Sequence, residues 1–297
     1  MFRNLRCYTV KEPWPKSEAE LSERLAERPF MPCSAFSERS AGWEPPVELE
    51  HEALCRRVGK ADLLQLRTQT RLLPPAAVNE ALAERVAAFR KRTGDAPTPG
   101  ERKRLKEETR DELMPKALVR SQRTQGCFLS DLSILAIDAA SPSQAEWFLD
   151  QLRPCFGRFD VRPLAFKTSP SELMKRIFLG ERVKGFELGR ECRLQDPRDS
   201  RAVGSWRHIE LDDEAIRRHV VEGMRLTHLG VVFQGHTSAV ISEDGVVSKL
   251  TVLAGEESEE AWQQDPVAQL DADIFLVANT IDSLLSALKE QLGGWSA

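Results

Sequence analysis

The chain has 297 residues, 41% hydrophobic and 30% charged, with 17 Gly, 17 Pro and a formal net charge of −4. That length exceeds the usual reach of one hydrophobic core, so two or three packed units are expected, and the composition excludes a disordered or collagen-like chain. No apolar run reaches the length of a membrane-spanning helix, the longest being short pieces such as "IFLVA" at 274–278.

The opening "MFRNLRCYTV" carries charge within its first six residues and lacks an apolar signal region, so a cytoplasmic location is expected. Six scattered cysteines without a CxxC pair (Cys7, Cys33, Cys55, Cys127, Cys155, Cys192) are expected to be buried free thiols. Phe2–Val10 reads as a strand, followed by a helix from about Ser17, where Ser17 and Glu20 form a capping signature. In "DLLQLRTQTRLLP", Leu64, Leu66, Thr68, Thr70 and Leu72 alternate with Gln65, Arg67, Gln69 and Arg71. This is the period of a strand with one packed face and one face of amides and guanidinium groups.

"LPPAAVNEALAERVAAFRKR" then switches to helical spacing, with Val78, Leu82, Val86 and Phe89 on one stripe and Pro at its start. After the break "TGDAPTPG", Thr98 and Glu101 fit a capping box for a second helix over about 99–113, so poor in apolar residues that it must lie largely in solvent. The two form a projecting helical hairpin. "ALVRSQRTQGCFLSDLSILAID" predicts strands with a tight turn near Ser130 and Asp131, and "SPSQAEWFLDQLRPCFG" a helix. "LGVVFQGHTSAVISEDGVVSKLTVL" predicts an antiparallel meander with a hairpin at Asp244-Gly245. "DADIFLVANTIDSLLSALKEQLGG" reads as strand then helix.

The expected fold class is α+β: antiparallel sheets, flanking helices and the hairpin. Residues 1–72 and 117–165 would form the two parts of a central unit, 73–116 the helical tip, and 166–297 a second unit and base.

Charge is segregated along the chain. Residues 56–123 hold 17 Lys and Arg against 9 Asp and Glu, whereas 250–288 hold eight acids (Glu256, Glu257, Glu259, Glu260, Asp265, Asp271, Asp273, Asp282) and no Lys or Arg. On the second hairpin helix, Arg102, Lys106 and Arg110 fall on one ridge, while Lys103 and Arg104 can each meet a Glu four residues later. Lys116, Arg120 and Arg123 follow, and the preceding strand adds Arg67 and Arg71. A solvated, salt-bridged helix is the plain reading of such a run. A phosphate-binding surface is the sharper one, because the polar strand face and the ridge belong to one continuous basic segment. The segment has no helix-turn-helix, zinc-finger spacing or aromatic platform, so it would grip the nucleic-acid backbone without regard to sequence.

Two other classes compete. The chain lacks a P-loop, a GxGxxG, a GxSxG elbow and an HExxH, and its five His (His51, His208, His219, His228, His236) are scattered. The best catalytic candidate is Asp271-x-Asp273, two carboxylates on one face of the expected strand that could hold Mg²⁺ in a nuclease. The acidic 250–273 stretch would instead serve a protein-binding adaptor. Trp206, Trp262 and Trp295 are read as core or interface anchors.

"MFRNLRCYTV", "FMPCSAFSERSAGWEPP", "RLLPPAAVNEAL" and "ELMPKALVRSQ", in this order and spacing, resemble the bacterial RdgC family of recombination-associated proteins, and "DADIFLVANTIDSLLSALKEQLGG" resembles that family's C-terminal end. The resemblance implies a homodimer closed into a ring, whose positively charged hole encircles double-stranded DNA with little sequence preference. It further implies association with the nucleoid, restraint of RecA-promoted strand exchange, and neither cofactor nor catalytic residue. Basic contact roles carry over to Arg71, just before "LLP", to Lys116 in "MPKAL", and to Arg207 and His208 in "WRHIEL". Leu118 stands where the family pattern has a Phe and would contact the partner subunit. The phosphate-binding set expected overall is Arg67, Arg71, Arg102, Lys106, Arg110, Lys116, Arg120, Arg207 and His208.

Overall fold

A computed structural model describes residues 2–46, 53–252 and 266–296. His51, Trp262 and the acids from Glu256 to Asp265 lie outside these. The described residues form an α+β protein with seven α-helices and one twelve-stranded sheet whose strand pairs are all antiparallel. Strands follow the order β2 (Arg39–Glu44), β4 (Ala61–Leu72), β5 (Leu118–Leu129), β6 (Ile134–Asp138), β1 (Leu5–Val10), β12 (Val247–Val252), β11 (Thr237–Ser242), β10 (Arg225–Phe233), β8 (Phe186–Gln195), β9 (Val203–Arg207). Two short strands join at the side, β3 (Cys55–Val58) on β4 and β7 (Val161–Pro163) on β1. The expected sheets are therefore one.

Cross-strand partners share a face, so the register assigns each side chain to one of two cores. Leu63, Cys127, Ala136, Val247, Ile241 and Leu229 look one way. They pack under α5 (Pro170–Phe178), α6 (Glu214–Val221) and α7 (Pro266–Gln291). Tyr8, Leu64, Leu66, Phe128, Leu135 and Ile137 look the other way, under α1 (Glu18–Leu25) and α4 (Pro142–Phe156). The helices thus change sides along the sheet. Strands β4–β6 are packed on both faces where α7 crosses them and turn polar on that side beyond it, whereas the half from β8 to β11 packs its α5 side and carries polar side chains opposite.

The local signals hold. Ser17 accepts the Glu20 amide, and Thr98 and Glu101 form a reciprocal capping box that starts α3 (Pro99–Leu113). In α2 (Pro75–Thr93) Val78 and Leu82 are buried while Val86 and Phe89 are half-buried, and α3 buries only Thr109, so the pair is a hairpin lying largely in solvent. The turn at 130–133 joins β5 to β6, and the β10–β12 meander turns at Asp244-Gly245 with Gly245 at φ 78°. All six thiols are free, four of them buried and Cys7 and Cys33 partly so. Burial pushes the Cys7, Cys55 and Cys127 thiols up to about 12.

One expectation fails. The strand expected over "DIFLV" is part of α7, a single helix of 26 residues, and the strand-then-helix layout dissolves. The run of four apolar residues at 274–277 mimics a buried strand. Burial instead follows the helical period through Ile274, Ala278, Ile281, Leu285 and Leu288, while Phe275 and Leu276 remain 58% and 47% exposed. Each buried Ile or Leu on this stripe contributes roughly 1.5–3 kcal/mol relative to exposure, enough to override the short-range pattern.

Candidate nucleic-acid interface

The polar face predicted for 64–72 exists on β4. Gln65, Arg67 and Gln69 pair with Gln125, Arg123 and Ser121 on β5, and with Glu44, Gly42 and Ser40 on β2. All nine residues therefore share one face, beyond the part covered by α7. Arg67 stands directly opposite Arg123, a like-charge pair that costs energy unless an anion lies between. Glu44 supplies it: Arg123 Nε donates to Glu44 Oε1 at 2.6 Å, Gln65 Nε2 to the same oxygen at 3.2 Å, and Arg67 Nη1 to Oε2 at 3.4 Å. Gly42 lets the segment Pro29–Phe30 cross this face, since a Cβ there would meet the Pro29 carbonyl at 2.4 Å. That crossing seats the Phe30 ring 4.5 Å from the Arg67 guanidinium, while Arg67 Nη2 donates to Ser121 at 3.3 Å. Arg67 is thus fixed in place before any ligand arrives.

Arg71, at the top of the same face, is engaged differently. Its guanidinium donates to the carbonyls of Cys33, Ser34, Met114, Pro115 and Ala117 at 3.0–3.4 Å. It pins the 33–34 loop and the 3₁₀ turn Met114–Lys116 to the sheet, at the base of the hairpin. On α3, Arg102 and Lys106 are exposed and make no side-chain hydrogen bond or ion pair among the described residues, whereas Arg110 meets Glu38 at 2.5 Å. Lys103 and Arg104 hold their expected partners Glu107 and Glu108 at 4.0 and 3.4 Å. Lys116 is exposed just below.

The register separates Arg120 from this group. It lies opposite Thr70, which pairs with Arg39, and this row belongs to the α4 side of the sheet. Leu118, opposite Leu72, is 77% exposed on the same side. Arg207 ends β9, and His208 follows with φ 58° in the left-handed region, where His is tolerated more often than branched residues. From β4 to β9 the sheet path counts eight intervals, about 38 Å at ~4.8 Å each, so one chain does not join Arg207 to Arg67 by contact. Arg207 belongs instead to the uncovered face of the second half, with Arg193 and His228 alongside and Lys249 paired to Glu191 at 2.5 Å. Burial, then Arg193, holds His228 below the usual imidazole range. The sequence places Arg123 in the basic segment but not in the expected contact set, and it passes over Arg193 and Lys249. An alternating strand with one polar face, as in "RECRLQ", is the signal that finds Arg193.

Asp271 and Asp273 do not form a carboxylate pair. Residues two apart on a helix point about 200° apart, and the two acids part accordingly. Asp271 accepts both Arg56 Nε at 2.8 Å and Nη2 at 2.7 Å, while Asp273 is exposed. The Arg56 guanidinium holds the Asp271 carboxyl below its usual range. Among the described residues no three His, Cys, Asp or Glu side chains gather as metal ligands, and no helix is long and apolar enough to cross a membrane.

Fold and site together define an α+β protein built on one large antiparallel sheet, with cations on its open faces and on a projecting hairpin. The comparisons with known proteins sharpen that class. A family model described as "RdgC: Putative exonuclease, RdgC" matches residues 1–295. The chain is 31% identical over 300 residues to the recombination-associated protein RdgC of Halorhodospira halophila, covering 100% of this chain and 99% of the relative. The RdgC proteins of Cupriavidus necator and Dechloromonas aromatica are each 30% identical, covering 99% of this chain and 98% and 97% of theirs. The chain belongs to the RdgC family.

Proposed function

We propose that this protein binds double-stranded DNA without sequence preference, as a homodimeric ring that encircles the duplex and restrains RecA-promoted recombination by occupying it. The observation that carries the reading is the open face of β2, β4 and β5, where Arg67 and Arg123 stand beside amides and hydroxyls, continued by Arg102, Lys106 and Lys116 on and below the hairpin. Such a surface meets phosphates and offers little to base edges. The relatives' name, recombination-associated protein, suits a DNA partner.

Sheet twist supports a concave arrangement. The uncovered faces of the two halves lie on opposite sides of the sheet. Seven intervals separate β4 from β8, and an average twist of ~20–25° per strand turns the sheet normal by roughly 140–175° over that path. With that twist, opposite faces of one sheet look toward the same side, which supports a shared DNA-facing side for the Arg67 and Arg193–Arg207 patches. A two-fold dimer doubles that surface and closes it. The test is an electrophoretic shift on unrelated linear and closed circular duplexes over a salt series, beside sedimentation for mass. Expected are a dimer, equal affinity across sequences and a steep salt dependence. A monomer, or no shift at low salt, overturns the reading.

A further inference from the structure

The open sheet face carries a carboxylate where its cations converge. Glu44 is 13% exposed at its side chain and accepts from Arg123, Arg67 and Gln65, while Arg123 itself remains 53% exposed. At the other end of the same strand, Glu38 immediately precedes β2 and holds Arg110 of the hairpin at 2.5 Å. The β2 segment therefore delivers acids to three arginines on three different elements, β4, β5 and α3. Resting on the DNA-binding reading above, we propose that Glu44, assisted by Glu38, is an internal phosphate mimic: its carboxylate fills the seat between Arg67 and Arg123 until a backbone phosphate displaces it.

The chemistry is that of an exchange. Carboxylate and phosphate present the same oxygen acceptors to a guanidinium fork. Arg67 is also held by the Phe30 ring and Ser121, so its position does not depend on Glu44 alone. Arg123 is open to solvent on its outer side, which leaves a path for the incoming phosphate. Because each cation already has a counterion built into the fold, DNA binding to this seat releases fewer bound salt ions than the count of arginines implies. The device moderates affinity and lets the protein leave DNA, and it predicts a salt slope shallower than the exposed charge suggests.

Glu44→Gln keeps the side chain's shape and one acceptor but removes the charge. In the full-length protein, titrated with a short mixed-sequence labelled duplex near 0.1 M salt, affinity is expected to rise roughly five- to tenfold for one freed phosphate contact, with the slope steepening by about 0.9. Arg67→Ala with Arg123→Ala in the Glu44→Gln background is expected to abolish that gain. Equal or weaker binding by a normally folded Glu44→Gln protein, with an unchanged slope, overturns the mimic while leaving the DNA reading intact. Absence of any duplex binding by the parent protein overturns the DNA reading itself. If Glu44→Gln lowers the unfolding midpoint, Glu38→Gln decides instead. Its ion pair is 52% and 58% exposed, so folding should be untouched, and an unchanged slope there overturns the proposal.

Discussion

Replacing Arg71 by Lys separates two roles that a basic residue on this face can have. A lysine keeps the charge but offers one compact donor group, so it cannot reach the carbonyls of Cys33, Ser34, Met114, Pro115 and Ala117 together. Hydrogen bonds to a charged donor contribute about 1.5–3 kcal/mol when short and buried. Those at Arg71 are long, at 3.0–3.4 Å, three share one nitrogen, and several are exposed, which reduces the combined effect to about 3 kcal/mol. Arg71→Lys should therefore shift the urea midpoint down at constant slope, and hydrogen exchange should speed up at 33–34 and 114–117. DNA affinity should fall through the displaced hairpin, with a salt slope close to the parent's. A variant as stable as the parent, with exchange unchanged, would refute the pinning role and return Arg71 to the phosphate contacts.

Other outcomes follow from the same geometry. Asp62 is 3% exposed and binds Arg57 through both oxygens and Trp14 Nε1 at 2.7 Å, so Asp62→Ala leaves a cation and an indole unpaired and should cost about 3–5 kcal/mol in urea unfolding. Asp271 is held below its usual range by Arg56, so its stabilising effect is complete above the unfolded carboxylate value and is lost as pH falls through the depressed folded one. Asp271→Asn should accordingly be less stable at neutral pH and lose less on acidification, as midpoints across the acid range will report. Leu118, 77% exposed, should tolerate Ser within about 0.5 kcal/mol of chain stability, while sedimentation shows weaker self-association with Ser and stronger with Phe.

The sequence exposed what local rules govern. Alternation gave the polar face of β4, the capping box gave the start of α3, and Pro and helical spacing gave α2. It hid whatever depends on distant partners. The apolar run 274–277 satisfies a strand template, and only the core beneath α7 decides between periods. Glu44 looks like an ordinary loop acid beside Pro45 until the sheet sets it between Arg67 and Arg123, 23 and 79 positions away. Arg71 looked like a free cation because carbonyl acceptors have no sequence signature. The register also placed Arg120 on the other side of the sheet from Arg123, as an interval of three in a strand requires.

Strand β1 occupies the middle of the sheet, between β6 and β12, with Leu5 facing Val247 and Leu250 donating to the Arg3 carbonyl. Its edge opposite β6 is shared by β7, along Tyr8–Val10, and β12, at Leu5, so the Leu5 end of that edge stays unpaired until Val247 is in place. Closing so long a loop precedes its reward, which favours slow, all-or-none assembly. Its side chains also feed both cores, Leu5 one and Tyr8 and Val10 the other, so neither half can come apart without unzipping this shared seam.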